Sequence, residues 1–199
     1  MKPVVLVPGL WMPEVLMAPL AAQLASRGYE ARVFAYRGRE AYDGNVDALA
    51  RFARGKTLFV GHSLGGVLIL DMLTRHPEVA ADAAVLIGAP VRGCFAGRRF
   101  GGAAFGRWMM GGTCALWEER SARWMRAAPL GVVAGTLPMG LGRAFGALPG
   151  ANDGVVRVDE TTIDGMTERM LVRRGHSMLI FSRRVVGMVD RFLSAGHFQ

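Results

Sequence analysis

Short apolar runs alternate with amphipathic stretches along the chain, and this alternation predicts strands separated by helices. The predicted strands are compact and rich in β-branched residues, as in buried parallel sheets. They cover residues 4–7, 31–35, 57–60, 84–87, 132–134 and 170–172. Helical patterns follow the first three strands, at residues 19–27, 46–52 and 64–75. This order indicates an α/β fold with right-handed βαβ units and a mostly parallel, six-stranded sheet flanked by helices.

Residues 91–130 interrupt the alternation, because no strand is predicted there. The stretch contains three of the four tryptophans, and seven arginines against two glutamates. Open α/β sheets bind ligands beyond the carboxyl ends of their strands, so we expect a cap or lid insertion over that edge. Its large apolar residues fit ordinary core as well as the cover of an acyl-chain pocket. No linker divides the rest, and one domain over residues 1–199 is expected at this length.

The composition excludes disorder and small disulfide scaffolds, since 51% of the residues are hydrophobic and 20% are charged. The formal net charge is +8, and nearly all of the positive charge is arginine, because lysine occurs only at Lys2 and Lys56. Basicity of this kind fits nucleic acid, a phospholipid surface or an acidic substrate. No nucleic-acid-binding motif is found, so we expect no nucleic acid and keep an anionic membrane surface as a partner.

Two cysteines, Cys94 and Cys114, lie too far apart for a zinc site or a redox pair, and the sequence leaves open whether they form a disulfide. No metal site and no cofactor are expected. The longest apolar runs fall short of the ~20 residues that a membrane span needs. The N-terminus resembles a signal peptide, but Pro8, Pro13 and Glu14 interrupt its apolar region. We therefore expect a cytoplasmic protein, with peripheral membrane association as the alternative.

The motif that carries chemistry is Gly61-His62-Ser63-Leu64-Gly65. A G-x-S-x-G pentapeptide is informative only between a strand and a helix, and the patterns at 57–60 and 64–75 provide that setting. A tight turn there lifts Ser63 above the sheet in a strained conformation that the flanking glycines permit. The helix N-terminus directs free N–H groups at negative charge that develops beside the serine. Ser63 is therefore the candidate nucleophile.

A serine nucleophile needs a base, and His176 is the best placed of the four histidines. It follows the sixth predicted strand, where a loop at the carboxyl edge of the sheet returns it to Ser63. His62 occupies the variable position of the motif, whereas His76 and His197 fit surface roles.

A carboxylate is needed to fix the tautomer of the base and to stabilise its imidazolium form. The strand, Gly61-His62-Ser63-Leu64-Gly65 and helix resemble the nucleophile turn of the α/β-hydrolases, in which the chain order is Ser, acid, His. That resemblance implies that the acid lies between Ser63 and His176. Asp153 follows the fifth predicted strand in Asn152-Asp153-Gly154 and fits best, although such residues also favour simple turns. The alternatives are Asp159, Glu160 and Asp164.

The candidate oxyanion-hole donors are the backbone N–H of Leu64 and one from the loop Pro8-Gly9-Leu10-Trp11. Leu10 is the preferred second donor, and Trp11 is next. Trp11 is also a candidate wall of the substrate pocket.

The chain resembles small bacterial α/β-hydrolases of the lipase/esterase type at four segments, which occur in the family's order. They are Val4-Val5-Leu6-Val7-Pro8-Gly9-Leu10, Gly61-His62-Ser63-Leu64-Gly65-Gly66, Asn152-Asp153-Gly154-Val155-Val156 and Gly175-His176-Ser177. The resemblance implies a Ser63–His176–Asp153 triad that hydrolyses carboxylic esters through an acyl-enzyme, on a small acyl-ester or lipid substrate. Two features depart from the family. Pro8 stands where many relatives have histidine, and the two leading strands of larger members are absent.

Two other classes of function remain open. The same triad serves thioesterases and acyltransferases, which differ from esterases in the acceptor of the acyl group. A non-catalytic binding protein with this fold fits less well, because all three triad positions and both glycine turns are present.

Overall fold

Six parallel strands form one sheet, around which the rest of the chain is arranged. The computed structural model describes residues 1–38, 41–53, 55, 57–140 and 147–199. The strands are β1 (Lys2–Val7), β2 (Tyr29–Val33), β3 (Thr57–His62), β4 (Ala81–Ile87), β5 (Leu130–Gly135) and β6 (Glu168–Val172). Their order is β2-β1-β3-β4-β5-β6, and every neighbouring pair is parallel. The predicted α/β fold with six strands is therefore confirmed.

Helices connect the strands and cover the sheet. They are α1 (Ala18–Ala25), α2 (Tyr42–Phe52), α3 (Leu64–Arg75), α4 (Phe95–Gly101), α5 (Ala104–Met110) and α6 (Arg183–Ala195). Short 3-10 helices cover Glu14–Met17, Gly111–Trp117, Asp159–Thr161 and His176–Met178. Helix α6 was not predicted. The Ser182 hydroxyl caps it by accepting the N–H of Val185, and Gly196 ends it in the left-handed region at φ 81°.

Both faces of the sheet are buried. On one face, α2, α3 and residues of the 91–130 stretch pack over side chains such as Phe59 and Leu86. On the other face, α1 and α6 cover Val60 and Ile87. Successive residues of a strand therefore enter opposite cores, which is why these strands appear in the sequence as continuous apolar runs.

Several boundaries differ from the predicted ones. Strand β2 lies two residues earlier than predicted, because its register places Tyr29 opposite Lys2 and Val33 opposite Leu6. Strand β6 and helix α2 also begin earlier, at Glu168 and Tyr42. These extensions include polar residues, which a search for apolar periodicity does not mark.

Cys94 and Cys114 are both free thiols, so the disulfide that the sequence left open does not form. Cys94 instead caps α4, since its Sγ accepts the N–H of Gly97 at 3.4 Å. Within the described ranges, the structure contains no helix with the length and apolar character needed to cross a bilayer.

Candidate active site

The carboxyl edge of the sheet brings two loops together where the strand order reverses. Because β1 lies between β2 and β3, the segments that follow β1 and β3 leave the sheet side by side and turn apart, which opens a crevice. Gly9 shows how closely they approach. A Cβ atom on Gly9 would lie 3.0 Å from Ser63 Cβ and 3.2 Å from His62 Nδ1. The loop after β1 therefore packs directly against Ser63.

Ser63 occupies a sharp turn between β3 and α3, with φ 53° and ψ −124°. A positive φ is uncommon for a residue other than glycine and persists only where the surroundings enforce it. Here the surroundings are tightly packed backbone. A Cβ on Gly61 would lie 2.6 Å from the Gly66 backbone, and one on Gly65 would overlap the Val7 carbonyl oxygen. The glycines of the G-x-S-x-G motif are thus required by the approach of β1, β3 and α3.

His176 and Asp153 form a buried pair beside this turn. His176 Nδ1 lies 2.7 Å from Asp153 Oδ2, and 8% and 1% of the two side chains are exposed. Asp153 Oδ1 also accepts the N–H groups of Val155 at 3.0 Å and Val156 at 2.7 Å, so the protein backbone fixes the carboxylate. The structure therefore brings the predicted base and acid together and leaves Nε2 as the ring nitrogen directed away from the carboxylate.

Ser63 and His176 line the same cavity. In the described part of the chain, no hydrogen bond joins the Ser63 hydroxyl to the His176 ring. Hydrogen bonds of this kind are often long in unliganded enzymes and tighten when substrate binds.

The alternative acids have other partners. Asp159 pairs with Arg157, and Asp164 pairs with Arg92. Neither forms a contact with His176 in the described residues, so Asp153 is the carboxylate that meets the predicted base.

Glu160 has a structural role that the sequence did not indicate. Its Oε1 accepts the N–H of Phe95 at 2.6 Å, and its Oε2 accepts the N–H of Arg157 at 2.8 Å. Burial raises the pKa of the Glu160 carboxyl above its ordinary value. The side chain therefore ties the start of α4 to the segment that follows Asp153.

His62 packs against the His176 ring, with ring centroids 4.8 Å apart. Its Nε2 lies 3.2 Å from the His176 carbonyl oxygen, to which the Nε2–H tautomer donates. Its Nδ1 is buried with no hydrogen-bond partner among the described residues. Burial, together with the neighbouring His176, lowers the pKa of His62 to about 3, so the ring is neutral at pH 7. The sequence analysis gave this residue no role, yet it contacts the loop that carries the predicted base.

The predicted oxyanion donors flank Ser63. Leu64 is the first residue of α3, and the Met12 N–H donates to the Gly9 carbonyl at 3.2 Å, which closes a turn over Leu10 and Trp11. Leu10 and Trp11 both line the cavity that contains Ser63. Trp11 has a φ of 58°, so this loop, like the turn at Ser63, holds a residue in an uncommon conformation.

A cavity of about 190 Å³ adjoins Ser63, and its walls are mainly apolar. One wall comes from the 91–130 stretch, hereafter the cap, through Cys94, Ala96, Gly97, Phe100, Met110 and Trp117. The other comes from Leu10, Trp11, Met12, Pro90, Val155 and Val156. Trp11 thus lines the cavity that contains Ser63, and so do six residues of the cap.

Two glycines beside the Asp153–His176 pair were not predicted as site residues. A Cβ on Gly88, whose φ is 57°, would lie 3.3 Å from both Asp153 Oδ2 and His176 Nδ1. A Cβ on Gly135 would lie 2.6 Å from Asp153 Cβ. Both follow or end a strand at the carboxyl edge, so the space for the pair is made where β4 and β5 stop. Glycine at a strand end was the available signal, but it also marks ordinary turns.

Solved structures of hydrolases with distant sequences share this fold. A Bacillus licheniformis lipase has a TM-score of 0.71 at 17% identity, over 90% of this chain and 86% of that chain. A pyrethroid hydrolase from Sphingobium faniae has a TM-score of 0.68 at 13% identity, over 98% of each chain. A carboxylesterase from Nitrososphaera gargenis has a TM-score of 0.61 at 14% identity, over 97% of this chain and 90% of that chain.

At these identities, the likeness to solved structures concerns the fold. The sequence model described as the alpha/beta hydrolase family matches residues 4–198, nearly the whole chain. Together with the parallel sheet and the strand-turn-helix around Ser63, this match shows that the chain belongs to the alpha/beta hydrolase family.

Proposed function

We propose that this chain is a serine hydrolase that cleaves carboxylic esters through an acyl-enzyme formed on Ser63. One observation carries the proposal: the strained Ser63 turn and the buried Asp153–His176 pair meet at one apolar cavity. Membership of the alpha/beta hydrolase family supports hydrolytic chemistry. The structural neighbours named as a lipase and a carboxylesterase support esters as the substrate class.

In the proposed reaction, His176 Nε2 takes the proton of the Ser63 hydroxyl while Oγ attacks the acyl carbonyl carbon. Asp153 keeps a proton on His176 Nδ1 and stabilises the imidazolium. The N–H groups of Leu64 and Leu10 donate to the carbonyl oxygen, which becomes negatively charged in the tetrahedral intermediate. The imidazolium then protonates the leaving alcohol. Finally, a water deprotonated by His176 attacks the acyl-enzyme, which releases the acid and restores the serine.

The cavity favours a short or medium acyl group. Its volume is about 190 Å³, which leaves room for roughly six methylene-sized groups if each takes the ~30 Å³ of a water molecule. Each buried methylene contributes ~0.8 kcal/mol, or about fourfold in kcat/KM. We therefore expect kcat/KM to rise about fourfold per methylene from the acetate ester towards the hexanoate ester.

The test combines turnover of p-nitrophenyl esters with covalent labelling by a fluorophosphonate. Wild type should hydrolyse the esters and take up the label, whereas Ser63→Ala should lose both and keep its melting temperature. Ser177→Ala is the matched control, because Ser177 lines the same cavity and should retain labelling. Unchanged turnover by Ser63→Ala would contradict the assignment. A strong preference for thioesters in a parallel panel would favour the thioesterase alternative.

A further inference from the structure

The cap presents an aromatic face to solvent next to the cavity. Phe105 and Trp108 lie three positions apart on α5 and therefore share one side of the helix. Their side chains are 64% and 61% exposed, and their ring centroids lie 6.0 Å apart. Single exposed apolar residues are common on protein surfaces, but a contiguous aromatic patch marks an interaction site.

The aromatic face is continuous with the cavity. The Phe105 ring lies 6.3 Å from that of Phe100, which lines the cavity. Trp11, another lining residue, packs edge-on against Phe100 at 5.7 Å. The Trp11 indole also donates a hydrogen bond to the Met109 carbonyl at 3.1 Å, which ties α5 to the loop after β1. A row of aromatic rings therefore runs from the cavity to the outer surface.

The arginines of the cap differ in what they contact. Three of them form ion pairs: Arg92 with Asp164, Arg98 with Glu119, and Arg120 with Asp71. Arg126 instead donates hydrogen bonds to the carbonyl oxygens of Leu73, His76 and Val79. Among the described residues, no ion pair joins a carboxylate to Arg99, Arg107, Arg123 or Arg126. Arg99 precedes Phe100 in the chain, and Arg107 lies between Phe105 and Trp108. Arg99 and Arg107 are exposed on α4 and α5, the helices that carry Phe100 and the exposed rings.

We propose that this face of α4 and α5, formed by Phe105, Trp108, Arg99 and Arg107, docks on an anionic phospholipid surface. Aromatic rings bind well at the boundary between headgroups and acyl chains, where one part of the ring is apolar and the edge is wet. Arginine beside them binds phosphate in a bidentate manner. This arrangement places against the lipid the outer end of the row of rings that starts at the cavity. Docking itself is independent of catalysis, whereas delivery of a lipid acyl group to Ser63 rests on the proposed ester hydrolysis.

The experiment is co-sedimentation of the full chain carrying Ser63→Ala with vesicles of phosphatidylcholine, with or without phosphatidylglycerol. Binding to the mixed vesicles should exceed binding to neutral ones. Adding Arg99→Gln and Arg107→Gln should lower the partition coefficient on mixed vesicles about 25-fold at low salt, at about fivefold per arginine, and remove the preference for them. Adding Phe105→Ser and Trp108→Ser should abolish binding to both kinds of vesicle.

Two exposed residues elsewhere serve as matched controls. Arg51 lies on α2 and Leu171 on β6, so Arg51→Gln and Leu171→Ser remove one charge and one apolar side chain without touching the cap. Both should bind vesicles as the parent does. If they weaken binding as much as the cap variants, the proposed surface is wrong.

Other outcomes would also overturn the proposal. Equal binding to neutral and mixed vesicles would show that the arginines do not favour anionic phospholipid. A dimer that forms in the absence of lipid and is lost in Phe105→Ser/Trp108→Ser would make a second copy of the chain the occupant of this face. Fluorophosphonate labelling of chains with an intact Ser63 is measured in parallel. Labelling without vesicle binding contradicts docking alone, and vesicle binding without labelling contradicts the proposed hydrolysis alone.

Discussion

Replacing Asp153 by Asn should abolish most of the activity and preserve the fold, because the two side chains have the same shape and differ in what they offer His176. Asp153 Oδ1 accepts the N–H groups of Val155 and Val156, and the Asn amide oxygen can accept both. The amide NH₂ would then face His176 Nδ1, which lies 2.7 Å from Oδ2 in the native pair. An NH₂ group donates only, so Nδ1 must become the acceptor and the ring proton moves to Nε2.

The size of the effect follows from that tautomer change. A ring protonated on Nε2 has no lone pair there to take the proton of Ser63, and the positive imidazolium loses its buried counter-charge. Loss of the correct tautomer in a triad lowers kcat by about 10⁴-fold, which corresponds to ~5.5 kcal/mol of transition-state stabilisation at ~1.36 kcal/mol per tenfold. Asp153 is 1% exposed, so water offers little compensation for the lost carboxylate.

The assay measures kcat on the p-nitrophenyl ester with the best turnover, the rate of fluorophosphonate labelling, and the thermal unfolding midpoint. Both rates should fall together by about 10⁴-fold while the fold is retained. Asp159→Asn is the control, since that carboxylate is 66% exposed, pairs with Arg157 and should affect kcat by no more than about twofold. If Asp153→Asn keeps a tenth or more of wild-type kcat, the tautomer argument is refuted.

Three further predictions follow from the same geometry. His62→Phe keeps the ring packing but removes the donor to the His176 carbonyl, so kcat should fall about tenfold with little change in KM, and His62→Asn should restore part of the loss. Ala96→Leu adds three carbons to the cavity wall, so the acyl chain with the highest kcat/KM should become about three methylenes shorter. Steady-state kinetics on an ester series should show this shift, with kcat/KM for the acetate ester unchanged. The pKa of Glu160 is raised in the folded protein, so folding favours its protonated form. Its contribution to the free energy of unfolding should therefore fall as the pH rises from 4.5, the ordinary pKa, through the folded pKa. Denaturant unfolding of wild type and Glu160→Gln across that range should show this difference, and parallel curves would contradict it.

The parts of the fold that could be predicted from the sequence depend on neighbours in the chain. The Ser63 turn is an example, because strand, glycines and helix all lie within residues 57–75 and each carries its own local signal. Helix α6 carried such signals too, in Ser182 and Gly196 at its ends and in apolar residues at helical spacing between them, so it could have been predicted although it was not. The pairing of Asp153 with His176 was predicted from chain order. The N–H groups of Val155 and Val156 hold the carboxylate in place, and they come together on it only in the folded turn.

The features that escaped sequence reasoning depend on partners far away in the chain. His62 owes its role to a carbonyl 114 positions away, and nothing near it in the sequence indicates that contact.

The same holds for the charge of the cap. Arg92 and Arg120 look like Arg99 and Arg107 in the sequence, but their carboxylate partners lie 72 and 49 positions away. Folding pairs those two arginines with carboxylates, whereas no ion pair among the described residues compensates Arg99 and Arg107 on α4 and α5. The count of seven arginines against two glutamates in residues 91–130 therefore overstates how basic the cap is, because Asp164 and Asp71, which pair with Arg92 and Arg120, lie outside it.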